Sequence, residues 1–71
     1  MIRGRILVVD DQPELREALS THLSDAGWEV IEAANGRDSL RAFDESSPDV
    51  VLLDVILPDI SGLDILDELK S

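Results

Sequence analysis

The residues best suited to chemistry are acids that close two apolar runs. Ile6-Leu7-Val8-Val9 leads directly into Asp10-Asp11, and Val50-Val51-Leu52-Leu53 leads directly into Asp54. If the two runs are parallel strands lying side by side, three carboxylates meet at one rim of a sheet. Gathering like charges costs free energy unless a cation or a proton offsets it. Hard oxygen ligands of this kind suit Mg2+ or Ca2+. Mg2+ in particular is bound through one or two carboxylates, keeps waters and accepts phosphate oxygens. A carboxylate beside such an ion can attack phosphorus and become an aspartyl phosphate, while the ion offsets charge on the transferring group. A plainer alternative stands beside this one. Asp10 and Asp11 can be a solvated strand end in which one acid caps the next helix, and a lone Asp54 is more often the first acid of a loop. The combination exceeds its parts because both acid sites fall at the same end of strands expected to be neighbours.

The elements that must position these acids follow from the hydrophobic pattern. Residues 5–10 form a continuous, β-branched-rich run, the pattern of a strand buried on both faces in a parallel sheet. Pro13 is suited to the first turn of a helix. Leu15, Ala18, Leu19, His22, Leu23 and Ala26 then recur at helical spacing, with Glu14, Arg16, Glu17, Ser20, Ser24 and Asp25 on the other face. Gly27 stands where a left-handed C-cap is wanted. Trp28 to Ala33 reads as a shorter second strand. Asn35 can cap a second helix, helped by Asp38, with Leu40 and Phe43 as its main apolar contacts. Residues 46–49 form a loop, and Val50 to Asp54 a third strand. Beyond Pro58, Ser61 can cap a third helix with Leu63, Leu66 and Leu69 as its core stripe.

The order β-α-β-α-β-α with short connections implies the α/β class, a parallel sheet and right-handed crossovers. In open sheets of this class, ligands bind beyond the carboxyl ends of the strands where strand order reverses. A strand order of 2-1-3 sets strands one and three about 4.8 Å apart. Asp10, Asp11 and Asp54 then share that crevice.

Composition narrows the function classes. Seventy-one residues allow one domain, spanning 1–71, and 44% apolar content argues against disorder. The formal charge of −10 comes from 16 acids against 6 bases. It speaks against nucleic acid or an anionic membrane as a direct partner, since each needs a basic footprint. It suits metal cations and basic protein surfaces. The chain has no cysteine, which excludes disulfides and thiolate metal sites and fits a reducing compartment. The apolar run after Arg5 is too short for a signal peptide core, and no stretch approaches the roughly 20 apolar residues of a membrane span. The expected location is the cytoplasm. Chains of this size bury only about 60% of the surface exposed when unfolded, so a partner, an oligomer or further chain is expected to contribute to stability.

The run Ile6-Leu7-Val8-Val9-Asp10-Asp11 is similar to the opening strand of response regulator receiver domains of two-component signalling. Residues Pro48 to Leu63, reading PDVVLLDVILPDISGL, resemble that family's phosphoacceptor strand, proline turn and glycine, and the spacing between the two segments also fits. The resemblance covers essentially the whole chain. It implies a flavodoxin-like, doubly wound parallel sheet and a signalling module rather than an enzyme. Asp54 would be the phosphoacceptor, receiving phosphate from a histidine kinase or phosphotransfer protein in order to control an output domain. Asp11 would ligate Mg2+ directly, Asp10 would assist through water or orientation, Asp54 would complete the carboxylates, and the backbone carbonyl of Ile56 would be a further ligand. Pro58 and Gly62 would shape the adjacent loop. The loop is also reminiscent of receivers attached to transcription regulators.

The family resembles five β-α units, and this sequence covers three. The switch hydroxyl of the fourth strand and the lysine of the fifth have no counterpart, and Lys70 does not substitute. The sequence therefore reads as a truncated receiver with a genuine start at Met1. Its third strand, internal in the family's order 2-1-3-4-5, is expected to carry an unpaired edge, and the helix beside helix one is missing. Such edges pair with other chains, so self-association through the third strand or an exchanged segment is expected.

Three functions compete: a phosphoaccepting receiver, an oligomerising or interaction scaffold without competent phosphotransfer, and a metal-dependent phosphohydrolase. The last expects a second acid two residues after the first, where this chain has Gln12 and Ile56. Other residues have simpler readings. His22 is expected to be packed or half-exposed on helix one, Trp28 to anchor strand two, and Arg37 and Arg41 to form a solvated face.

Overall fold

The computed structural model describes residues 3–53, 64 and 67–69. Its elements are β1 (Gly4–Val9), α1 (Pro13–Asp25), β2 (Trp28–Ala33), α2 (Gly36–Ser46) and β3 (Val50–Leu53). Residues 64 and 67–69 are helical. The expected third-helix positions Ser61, Leu63 and Leu66 lie outside the described residues, as do Pro58 and Gly62.

The strands form a three-stranded sheet in the order β2-β1-β3, parallel throughout, as the alternating element pattern predicts. β1 is therefore central, which explains its unbroken apolar run: Leu7 and Val9 reach one face while Ile6 and Val8 reach the other, and all four are buried. Leu7 and Val9 join Ala33 in a core cluster against which Ile31, Leu40, Phe43, Val51, Leu53 and Leu69 pack. On the opposite face, α1 packs over β1 and β2.

The two faces are unequally covered. β3 alternates along its length. Val51 and Leu53 turn toward the core cluster, whereas Val50 and Leu52, on the α1 side, are each 39% exposed. α1 itself has no fully buried residue, and Leu15 is 46% exposed. Leu15 and Leu19 line, with Val8 and Leu52, an open cleft of about 430 Å³ between α1 and β3. The helical stripe read from the sequence is thus real but only partly covered. His22 is exposed rather than packed, because α1 reaches over β1 and β2 and its outer side meets nothing further among the described residues.

Local signals place the element ends. Pro13 opens α1, and Gly27 after it takes φ 100°, a conformation that a side chain disfavours. The Asn35 Oδ1 accepts from the Asp38 backbone N–H at 2.8 Å, capping α2 as its sequence predicts. The start of β3 is tied to β1 by the Asp49 N–H donating to the Arg5 carbonyl at 2.8 Å and by the Arg5 N–H donating to Asp49 Oδ2 at 2.8 Å. The Arg5 guanidinium pairs with Glu29 on β2 and donates to the Ser46 carbonyl at the end of α2. A Cβ on Gly4 would lie 2.8 Å from Asp49 Oδ2, so glycine permits this junction. Among the described residues no helix is long and apolar enough to cross a membrane.

Candidate functional site

The register sets Val9 opposite Leu53, so β1 and β3 finish level with each other. Asp10 and Asp11 follow β1 directly. Asp54 follows Leu53 in the sequence and, like Ile56, lies outside the described residues. Two of the four residues expected to hold a cation are therefore located by the structure, and they are adjacent.

The two described acids differ sharply. The sequence pattern carries the first strand through Asp10, but β1 ends at Val9. Asp10 still extends the ladder by one bond, its N–H donating to the Ala33 carbonyl at 3.1 Å. Its side chain reaches forward along the chain, where Oδ1 accepts from the Gln12 N–H two residues on at 2.9 Å. The residue is only 8% exposed and forms one end of the cleft between α1 and β3. Gln12 is the N-cap position of α1 but caps nothing with its own side chain. The acid two residues earlier fixes the entry into the helix instead. Asp11, by contrast, is exposed, and its carboxylate has no hydrogen-bond or ion-pair partner among the described residues.

A third side chain enters the site unannounced. Arg16 Nη1 donates to the Asp10 carbonyl at 2.8 Å, and its Nε lies 3.4 Å from Glu32 Oε1. The sequence pattern assigned Arg16 to the solvent face of α1. Its spacing from Asp10 carries no motif, and Glu32 lies a whole strand away, so only the folded chain reveals the contact.

The donor set suits Mg2+. One exposed carboxylate, without a partner among the described residues, beside a buried, hydrogen-bonded one supplies the one or two carboxylates such an ion uses. Among the described residues no group of three or more His, Cys, Asp or Glu could hold a metal. The two described acids alone do not make a full coordination sphere.

The description "response regulator receiver domain" matches residues 6–71. The probable transcriptional regulatory protein TcrX of Mycobacterium tuberculosis is 48% identical over 66 residues, covering 93% of this chain and 28% of TcrX. The chain thus spans less than a third of that relative's length. The response regulator protein TrrA of Thermotoga maritima, solved in complex with Mg2+ and BeF, superposes with a TM-score of 0.90 at 43% identity, covering 99% of this chain and 59% of the other. The same protein in complex with the histidine kinase ThkA superposes with a TM-score of 0.88 and the same coverage. A receiver sheet in the order 2-1-3, an acidic pair closing its central strand and a family match over nearly the full length agree: this chain belongs to the response regulator receiver domain family.

Proposed function

We propose that this chain is the phosphoaccepting receiver of a two-component response regulator, phosphorylated on Asp54 with Mg2+ held by Asp10, Asp11, Asp54 and the Ile56 carbonyl. The observation that carries the reading is the acidic pair at the carboxyl end of β1, level with the end of β3 through the Val9–Leu53 register. In this reading a carboxylate oxygen of Asp54 forms a bond to phosphorus as the P–N bond of a kinase phosphohistidine breaks, and the imidazole leaves with the electron pair. Bound Mg2+ supplies compensation for charge on the phosphoryl oxygens. Asp11, exposed and without a partner among the described residues, is the direct ligand. Asp10, held by Gln12 and largely buried, orients and assists.

The histidine kinase complex of the Thermotoga relative supports a histidine kinase as the phosphodonor. The curated relatives, named as transcriptional regulators, support an output domain that controls transcription. The charge of −10 supports a segment that does not itself contact nucleic acid or membrane, and in this reading it works in the cytoplasm. Coverage of 59% of the Thermotoga chain supports reading residues 1–71 as three of the family's five β-α units. In that reading the chain is a signalling acceptor whose chemistry is limited to its own phosphorylation and dephosphorylation.

The experiment is incubation with Mg2+ and acetyl phosphate followed by intact-mass measurement, with Asp54→Asn as control. The wild type is expected to gain one phosphoryl group and the variant none. An unmodified wild type would reject phosphotransfer competence. A second reading, an oligomerising scaffold that keeps the acid pair without competent transfer, is favoured by the exposed Val50 and Leu52 beside the open cleft. Under it the same incubation leaves the mass unchanged while the chain self-associates.

A further inference from the structure

We propose that Arg16, itself held by Glu32, is a positioning residue that sets the Asp10–Asp11 acid pair for a divalent cation. The proposal rests on the receiver reading and deepens it. The Asp10 carbonyl is part of the peptide unit that joins the two acids. Fixing the plane of that peptide fixes the direction in which the Asp11 side chain leaves the backbone. Three separate bonds converge on Asp10: its N–H to Ala33, its Oδ1 from Gln12 and its carbonyl from Arg16 Nη1 at 2.8 Å. The first holds the near side of the residue, the second reaches from its side chain across Asp11 to the next N–H, and the third acts directly on the carbonyl of the peptide leading to Asp11.

The carbonyl also lies beyond the last register pair of β1 and β2, Val9 with Ala33. The sheet therefore offers it no partner, and a side chain must take the place of the next ladder donor. A guanidinium is suited to this task because its planar fork can serve two acceptors at once. Nη1 meets the carbonyl while Nε faces Glu32 Oε1 at 3.4 Å, with side-chain exposures of 20% for Arg16 and 45% for Glu32. Arg16 thereby ties three elements, α1, β1 and β2, at the one point where the acids begin. An ordinary surface ion pair contributes little to stability. Removing this one through Glu32 should leave folding nearly intact and act on the cation site instead. Partners that orient metal ligands affect affinity by about 10–100-fold.

The test is calorimetric titration of the full chain with MgCl2, for the wild type and for Arg16→Gln, Arg16→Lys, Glu32→Gln and Asp11→Asn, with thermal denaturation of each. Arg16→Gln is expected to weaken Mg2+ binding about tenfold or more. Arg16→Lys should recover part of the loss, since an ammonium reaches the carbonyl without bridging to Glu32. Glu32→Gln should shift affinity in the same direction, by less, with an unchanged melting midpoint. Wild-type affinity in both Arg16→Gln and Glu32→Gln, with binding lost in Asp11→Asn, overturns the positioning role and leaves the receiver reading standing. Should Arg16→Gln not fold, Glu32→Gln decides alone, and unchanged affinity overturns the proposal. Absence of Mg2+ binding by the wild type overturns the receiver reading and the proposal with it.

Discussion

Asp10 and Asp11 are the same residue type at adjacent positions, yet the fold assigns them opposite duties. Asp10 is buried and its Oδ1 is committed to the Gln12 N–H, so it contributes to the fold as well as to the site. Asp11 is exposed and without a partner among the described residues, so its charge is available to a ligand. Stability and cation binding should therefore separate cleanly between them. Asp10→Ala removes an acceptor from a backbone donor at the entry to α1, a loss of about 1 kcal/mol, whereas Asp10→Asn keeps the acceptor and should fold as the wild type does. Asp11→Asn removes only surface charge and should change stability by less than about 0.5 kcal/mol, yet abolish Mg2+ binding. Urea denaturation set beside calorimetric Mg2+ titration checks both halves. A large destabilisation by Asp11→Asn would mean that this side chain has a structural role the fold does not suggest.

At the scale of the element, what could be read in advance depended on how local its cause was. The Asn35 cap was legible because acceptor and donor are three residues apart, and the structure has that bond at 2.8 Å. Asn35→Ala is expected to cost about 1 kcal/mol and Asn35→Asp very little. Thermal denaturation of the two variants checks the contrast, and equal loss in both would assign the effect to something other than the cap. The unbroken run in β1 marked it as a strand buried on both faces, but β3 reads as equally apolar and pairs with β1 alone, so the strand order 2-1-3 came from the supposed adjacency of the acids and the family resemblance. The extent of helix burial was not legible. Leu15, Leu19 and Leu23 fall at the right spacing, but periodicity says which side of α1 is apolar and not what lies against it. Arg16 escaped for the same reason: its two partners sit on β1 and β2, and no spacing rule links a helix residue to a strand end and a carboxylate sixteen positions later. Asp54 and Ile56 were legible as motif positions and lie outside the described residues.

At the scale of the whole molecule the asymmetry of the sheet is the property with the widest consequence. Core residues crowd one face, where Leu7, Val9 and Ala33 meet α2 and Leu69. On the other face α1 covers β1 and β2, leaving Val50 and Leu52 of β3 at 39% exposure each. β3 also pairs with β1 alone, so its outer edge has no strand partner among the described residues. A short apolar strand with one open edge and one open face can pair with another chain, and burying Val50, Leu52 and Leu15 adds a hydrophobic gain in proportion to the area removed from water. Against this stands a charge of −10 on every copy, whose repulsion is felt between approaching molecules and is screened within about 8 Å at physiological ionic strength. The balance gives the expected association a diagnostic salt dependence. Sedimentation velocity at micromolar concentration should show concentration-dependent self-association that strengthens as NaCl is raised, the reverse of an interface held by ion pairs. Leu52→Lys places a charge in the open face without touching the core cluster, and should return the chain to a folded monomer at every salt concentration. A compact wild-type monomer across the same range of protein and salt would show that the exposed face does not drive assembly, and would remove the support for the scaffold reading while leaving the acid pair and its cation chemistry untouched.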